Sequence, residues 1–192
     1  MRVRDPADAA AWVEFDRRYG PLVLAYCRAS GWQQADAEDV RQLVMTKLAG
    51  RLRTFEYEPE AGGFRRYLRT VIRGEMARHA TRRDGYAADM RVERSEFDAI
   101  PEAGGEDSVW DREWMRHHFR IAWDAVRDRC DENSLEVFRQ LLAGAHPNRI
   151  AGSMGMSETA VRKVKQRMCE RLKAAIAEQI RDEEHEPRRA GR

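Results

Sequence analysis

Basic and hydrogen-bonding side chains are concentrated between residues 157 and 167, where they recur at the spacing of a helix. Arginine and lysine neutralise phosphates, and arginine and glutamine can each form two parallel hydrogen bonds with the edge of a base. A helix that carries these groups is suited to the major groove of DNA. Glu158 has two interpretations, a base or phosphate contact and a charge that favours the helix start. The candidate DNA-contacting residues are Ser157, Glu158, Thr159, Arg162, Lys163, Gln166 and Arg167.

The elements that must position this set lie within residues 144–173. Pro147 suits the first position of a short helix, Gly155 the left-handed residue that ends it, and Ser157 the N-cap of the next helix. The pattern predicts a helix-turn-helix whose second helix enters the major groove, and the alternative is an ordinary helical hairpin with a solvated basic face. Apolar residues three or four positions apart are expected to bury the inner side of the second helix, namely Val161, Val164, Met168, Leu172 and Ile176.

A second basic segment is predicted to be a helix from about Phe64 to Arg83. Seven arginines oppose a single acid, Glu75, which leaves a net charge of +6. Aromatic side chains occur in the preceding loop, and arginines beside aromatic rings suit phosphate contacts and stacking on unpaired bases. The alternative is a soluble, arginine-rich helix face. The candidate residues of this site are Phe55, Tyr57, Phe64, Arg65, Arg66, Arg69, Arg73 and Arg78.

The segment between the two basic regions is acidic. Between Asp84 and Glu113, ten acids face three arginines, a net charge of −7. Glycine, proline and weak periodicity indicate a flexible interdomain linker that self-repulsion keeps extended. A sharper hypothesis is that these acids occupy a basic groove as a mimic of nucleic acid.

The remaining elements are predicted to be helical, so the expected fold class is all-α. Residues 7–29 form a helix that Gly20-Pro21 should kink or divide. A second helix should begin at Asp36, the expected N-cap, and run to about Arg53. Near the middle of the chain, apolar residues that include Trp110 and Trp114 predict a helix that packs onto the last domain.

These elements divide into two small helical domains. The first, residues 1–83, is expected to contain the arginine-rich helix, and the second, residues 110–182, the helix-turn-helix. Residues 84–109 form the linker, and residues 183–192 form a charged tail that is expected to fray.

The composition argues against other classes of function. The three cysteines lie far apart, without the spacing of a zinc site, and we expect reduced thiols. An enzyme that acts on nucleic acid would need clustered carboxylates for a metal, or a nucleophile beside a base. Asp36, Glu38 and Asp39 are close in sequence, but Asp36 is assigned to the cap. We therefore expect no catalytic residue, metal or cofactor, no membrane insertion, a cytoplasmic location and, by default, a monomer.

Three segments, in the same order along the chain, resemble motifs of one family. They are residues 36–42 (DAEDVRQ), residues 57–68 (YEPEAGGFRRYL) and residues 150–162 (IAGSMGMSETAVR). On these motifs the chain resembles a bacterial RNA polymerase sigma factor of the extracytoplasmic-function (ECF) type, in the sigma-70 family. The resemblance covers nearly the whole chain and implies two helical domains joined by a linker.

The resemblance also implies partners and roles. The helix-turn-helix would read the −35 promoter element while it packs on the polymerase β flap, and the loop at 55–64 with the basic helix would hold the opened −10 element. The acidic linker would extend toward the RNA exit path, and a separate anti-sigma protein would be a further partner. The alternative is a conventional helix-turn-helix regulator that never joins the polymerase. The residues implied to contact the β′ clamp of core RNA polymerase are Glu38, Asp39, Arg41 and Gln42.

Overall fold

The computed structural model describes residues 9–51, 63–83 and 104–185. All regular structure in these ranges is α-helical, which confirms the all-α prediction. Two compact units are present, one of Met1–His117 with Asp182–Arg192 and one of His118–Arg181. The helices are α1 (Ala9–Ala29), α2 (Gln34–Arg51), α3 (Gly63–Arg83), α4 (Gly104–Arg127), α5 (Glu132–Leu142), α6 (Pro147–Met154) and α7 (Glu158–His185).

The core of the first unit is built by α1, α2, α3 and the first half of α4. α1 packs on α2, and α2 packs on α3. Tyr19 lies at the centre of an aromatic group, with its ring centroid 4.8 Å from that of Phe15 and 5.0 Å from that of Phe64. Trp12 and Trp32 are partly buried against this core. The fully or nearly buried members include Phe15, Tyr19, Leu22, Val23, Val40, Val44, Leu48, Leu68, Val71, Ile72, Trp110 and Trp114.

α1 is a single helix that contains Pro21, so the division expected as one of two outcomes at Gly20-Pro21 was wrong, while the kink stays a prediction. Proline removes one backbone hydrogen bond and crowds the preceding turn. Here Tyr19, Leu22 and Val23, on either side of the proline, are all buried in one cluster. We attribute the continuity of the helix to this packing, because burial of several large side chains outweighs the local cost.

α2 begins earlier than predicted. The backbone N–H of Ala37 donates to the carbonyl of Gln33 at 3.0 Å, so the helix is already formed at Asp36. Asp36 therefore lies in the first turn and is not the N-cap. Its negative charge still favours this end of the helix, because the unpaired N–H groups of the first turn give it a partial positive charge.

α4 begins inside the segment that was predicted to be linker, since residues 104–109 are helical. Trp110 and Trp114 lie in the core cluster of the first unit, at 1% and 4% exposure, whereas Ala122 and Val126 lie in that of the second unit. The expectation that both tryptophans pack on the last domain was therefore wrong. Residues 84–103, the rest of the predicted linker, lie outside the described ranges.

The second unit contains α5, α6 and most of α7 around a separate core. Asp131 caps α5 by accepting a hydrogen bond from the Ser134 N–H at 2.8 Å, and this bond lowers the pKa of Asp131. The ring of Trp123 stacks on Phe138 with centroids 5.8 Å apart. The buried residues are Ala122, Val126, Leu135, Val137, Phe138, Ile150, Ala151, Val161, Val164, Met168 and Leu172.

The junction between α6 and α7 follows the predicted local chemistry. Pro147 is the first residue of α6, and the imidazole of His146 caps it by accepting from the Asn148 N–H. Gly155 ends α6 at φ 62° and ψ 32°, in the left-handed region that favours glycine. Ser157 caps α7, with its hydroxyl oxygen 3.1 Å from the Ala160 nitrogen. The predicted positions of the proline, the glycine and the serine cap are confirmed.

Candidate nucleic-acid interface

The solvent-facing side of α7 brings most of the predicted DNA-contacting residues together. Val161, Val164 and Met168 are buried, as the spacing predicted. Because residues three and four apart share a helix face, the basic and polar residues between them face outward. Lys163, Gln166 and Arg167 border an open depression of about 400 Å³. The exposed members of the predicted set are Ser157, Thr159, Arg162, Lys163, Gln166 and Arg167, and Glu158 is half-buried.

Two hydrogen-bonded pairs lie on this face of α7. Arg162 Nη2 donates to Glu158 Oε1 at 2.6 Å, and Gln166 Nε2 donates to Glu170 Oε1 at 2.9 Å. Each pair joins residues four positions apart on one helix. The face is therefore not uniformly basic, because an acid holds each of two predicted base-reading side chains.

The predicted residues on α3 have different surroundings. Arg65 forms an ion pair with Asp111, and its guanidinium carbon lies 5.6 Å from the centroid of the Trp114 ring. Arg66 is exposed, whereas Arg69 and Arg73 are partly buried. The ring of Phe64 packs edge-on against Tyr19 within the core. Its assigned contact with an unpaired base stays a prediction, as do those of Phe55 and Tyr57, which lie outside the described residues.

A buried carboxylate joins α2 to α3. Glu75 is 6% exposed, and its Oε1 accepts from Lys47 Nζ at 2.8 Å and from Arg78 Nη1 at 2.9 Å. Arg78, a predicted nucleic-acid contact, is thus paired with Glu75, three positions earlier on the same helix. The lone acid of the arginine-rich helix is a structural ion-pair partner, and spacing alone did not indicate its burial.

The residues predicted to contact the polymerase lie on α2. Arg41 Nη1 donates to both carboxylate oxygens of Asp16, at 2.7 and 2.6 Å, and Arg41 Nε donates to Glu38 at 3.0 Å. The hydrogen bonds to Asp16 raise the pKa of Arg41 above its usual value. Asp39 lies 3.5 Å from His79 Nε2 of α3, with most of its side chain exposed. Gln42 is exposed.

Sequence reasoning did not identify the acids that hold these cations. Asp16 and Asp111 lie on helices other than those of their arginine partners, and helical periodicity does not report pairing between helices. It also placed Glu183 in a charged tail, whereas α7 continues to His185. The hydroxyl of Tyr19 donates to Glu183 at 2.6 Å within the first unit, and burial raises the pKa of Tyr19 well above its usual value.

Within residues 9–51, 63–83 and 104–185, no group of three or more His, Cys, Asp or Glu side chains is arranged to hold a metal ion. None of the helices in these ranges is long and apolar enough to cross a membrane. Burial raises the pKa of the Cys27 thiol to about 12, so this group stays protonated near neutral pH.

Comparison with known families gives one match. Residues 15–86 match the family model described as Sigma-70 region 2. No curated protein and no solved structure matches the chain. The matched segment contains most of α1 together with α2 and α3, and so includes the candidate residues Glu38, Asp39, Arg41 and Gln42 and the arginines of α3. Over this segment the chain is similar to region 2 of the sigma-70 family.

Proposed function

We propose that this protein is a transcription initiation factor of the ECF type, which binds core RNA polymerase, directs it to specific promoters and aids melting. The match of residues 15–86 to sigma-70 region 2 carries the proposal. The factor works in the cytoplasm, has no catalytic activity of its own and uses no metal or cofactor. A separate anti-sigma protein is proposed as its inhibitory partner.

We assign polymerase binding to α2. Asp39 and Gln42 present exposed polar groups, while Arg41 ties α2 to α1 through Asp16. In this assignment Glu38 and Arg41 fix the helix, and the exposed residues contact the β′ clamp. The arginines of α3 lie in the same matched segment, and we assign them to the −10 element, where cations along a strand neutralise its phosphates.

We assign recognition of the −35 element to α6 and α7, acting as a helix-turn-helix beside the β flap. The left-handed Gly155 and the Ser157 cap support this assignment, together with the exposed basic side of α7. Arg162 is expected to form two hydrogen bonds with a guanine, a contact worth about 1–3 kcal/mol of discrimination against other bases.

The test is reconstitution with core RNA polymerase that lacks a sigma factor, followed by transcription from a genomic promoter library. A stable complex with new, sequence-specific start sites is expected. Duplex DNA binding without polymerase association would instead favour a conventional helix-turn-helix regulator, which the region 2 match does not favour.

Two single variants separate the two assigned surfaces. Arg162→Ala should lower promoter-specific transcription about tenfold or more while the complex with core polymerase persists, because a base contact is lost from an exposed position. Gln42→Ala should weaken the complex with core polymerase while the free protein keeps its thermal stability. Loss of polymerase binding in the Arg162 variant would contradict the assignment of α7 to DNA.

A further inference from the structure

One exposed stripe of α7 repeats at four-residue intervals. It consists of Glu158, Arg162, Gln166 and Glu170, and each acid accepts a hydrogen bond from the neighbour that the sequence assigns to base reading. Residues four positions apart are adjacent on the surface of a helix, so the two acids lie at the ends of the stripe with Arg162 and Gln166 between them. The Glu158–Arg162 pair is the shorter, at 2.6 Å.

The Glu158 carboxylate is not engaged in capping the helix. The Ser157 hydroxyl already accepts from the Ala160 N–H at 3.1 Å, and Glu158 Oε1 is directed to Arg162 Nη2. The side chain of Arg162 is 71% exposed and that of Glu158 is 40% exposed. Pairs at this exposure contribute little to stability, because water and salt screen them. The effect that remains is on the conformation of the arginine.

An oriented arginine is what guanine recognition requires. The guanidinium is planar and has five N–H donors in a fixed arrangement, so a carboxylate bound to one nitrogen leaves others for the guanine O6 and N7. A free arginine has many rotamers and must lose that freedom when it binds. Glu158 restricts this freedom in advance. Because its charge also repels phosphates, its contribution should appear in sequence preference and not in overall affinity.

We propose that Glu158 is a positioning residue that orients Arg162 for a guanine of the −35 element. This inference rests on the proposed function, since it requires α7 to read DNA. It assigns Glu158 a role that is neither of the two expected from the sequence, because the carboxylate contacts the reading side chain and not the DNA.

The experiment uses the full chain bound to core RNA polymerase and a pool of duplexes in which the −35 block is randomised. Bound duplexes are sequenced, and the position whose guanine preference disappears in Arg162→Ala is taken as the Arg162 contact. Glu158→Asp keeps a negative charge at the helix start but is one methylene shorter. Glu158→Gln keeps an oxygen that can accept from Arg162 but lacks the charge. Glu178→Asp, on an exposed part of the same helix, is the matched control.

We expect Glu158→Asp to reduce the guanine preference at that position about three- to tenfold, with other positions unchanged. Glu158→Gln should recover part of this preference, and Glu178→Asp should match the wild type. All variants should keep the wild-type Tm. The positioning role alone is overturned if Arg162→Ala removes the guanine preference while Glu158→Asp leaves that preference intact. It is likewise overturned if Glu158→Asp weakens the binding of all duplexes equally. If Arg162→Ala changes no preference, reading of DNA by this face of α7 is overturned as well.

Discussion

Glu75 shows how one residue can fix two helices of the first unit. Its carboxylate is 6% exposed and accepts from Lys47 on α2 and Arg78 on α3. Burying a charge is costly unless it is paired and hydrogen-bonded, and both conditions are met here. The two cations together exceed its charge, so the cluster keeps a net positive charge beside the arginines of α3.

Glu75→Gln should therefore destabilise the protein. Loss of one partner from a fully buried ion pair costs roughly 3–5 kcal/mol, and we expect about 2 kcal/mol because Lys47 and Arg78 are partly exposed. The free energy of unfolding in urea measures this loss. Glu14→Gln, which breaks the exposed Glu14–Arg17 pair, is the control and should leave the unfolding free energy unchanged. Equal effects of the two substitutions would contradict a structural role for burial at Glu75.

The sequence predicted which helix faces are basic but not how each cation is held. Arg65, Arg69 and Arg73 have the same residue type at helical spacing, and spacing gave no sign that Arg65 pairs with Asp111 of another helix. Spacing along one helix determines which side a residue occupies. The partner across an interface depends on how helices pack, which short-range patterns do not encode.

At the scale of elements, two glycines three positions apart have opposite roles. Gly155 ends α6 in the left-handed region, at φ 62°. Gly152 lies inside α6, and a Cβ at either position would meet no atom within 4 Å. Substitution by alanine therefore tests backbone conformation alone, because neither change creates a clash.

Gly155→Ala should destabilise the second unit by about 1–2 kcal/mol, since an L-residue is disfavoured in the left-handed region. Gly152→Ala should stabilise it by about 0.5–1 kcal/mol, because alanine loses less backbone entropy in a helix. Thermal unfolding of the two variants and of the wild type measures whether each substitution raises or lowers the stability. A stabilising effect at Gly155 would show that α6 does not end there in solution.

Local chemistry explains why this junction was predictable. Pro147, Gly155 and Ser157 each act through their own backbone or side chain, within four residues, so their types determine their structure. α1 and α2 were less predictable at single positions. Burial on both sides of Pro21 maintains α1, and the helix start of α2 at Gln34 precedes the acidic residue that resembled a cap.

At the scale of the whole molecule, the described residues contain two separate hydrophobic clusters. Trp110 is 1% exposed in the cluster of the first unit, and Ile150 is fully buried in that of the second. Both residues are apolar and buried, and neither is a candidate DNA-contacting residue. They are therefore suited to test whether the clusters stabilise their units independently.

Trp110→Ala should cost about 3–5 kcal/mol and Ile150→Ala about 2–5 kcal/mol, through lost burial and the cavity left behind. Hydrogen exchange should accelerate in α1–α3 for the tryptophan variant and in α5 and α6 for the isoleucine variant. Each variant is the control for the other. Acceleration throughout the chain in both variants would indicate a single cooperative unit.

The structure divides the chain at a different residue from the expected domain boundary. The expected second domain began at residue 110, whereas the compact units divide after His117, within α4. The pattern of Trp110 and Trp114 correctly indicated a buried helix face. It could not indicate which core buries that face, because both cores are apolar and a helix shows the same spacing of apolar residues against either one.

The five tryptophans, and with them the intrinsic fluorescence, are distributed unevenly between the two units. Trp12, Trp32, Trp110 and Trp114 all belong to the core of the first unit, and Trp123 alone of the five stacks on Phe138 in the second. Four of the five indoles therefore report on the core of the first unit. Replacing Trp123 by phenylalanine keeps an aromatic ring for the stack and leaves every remaining indole in the core of the first unit. The tryptophan emission of this variant then becomes a label-free reporter on the core of the first unit, which includes residues of α1, α2, α3 and α4.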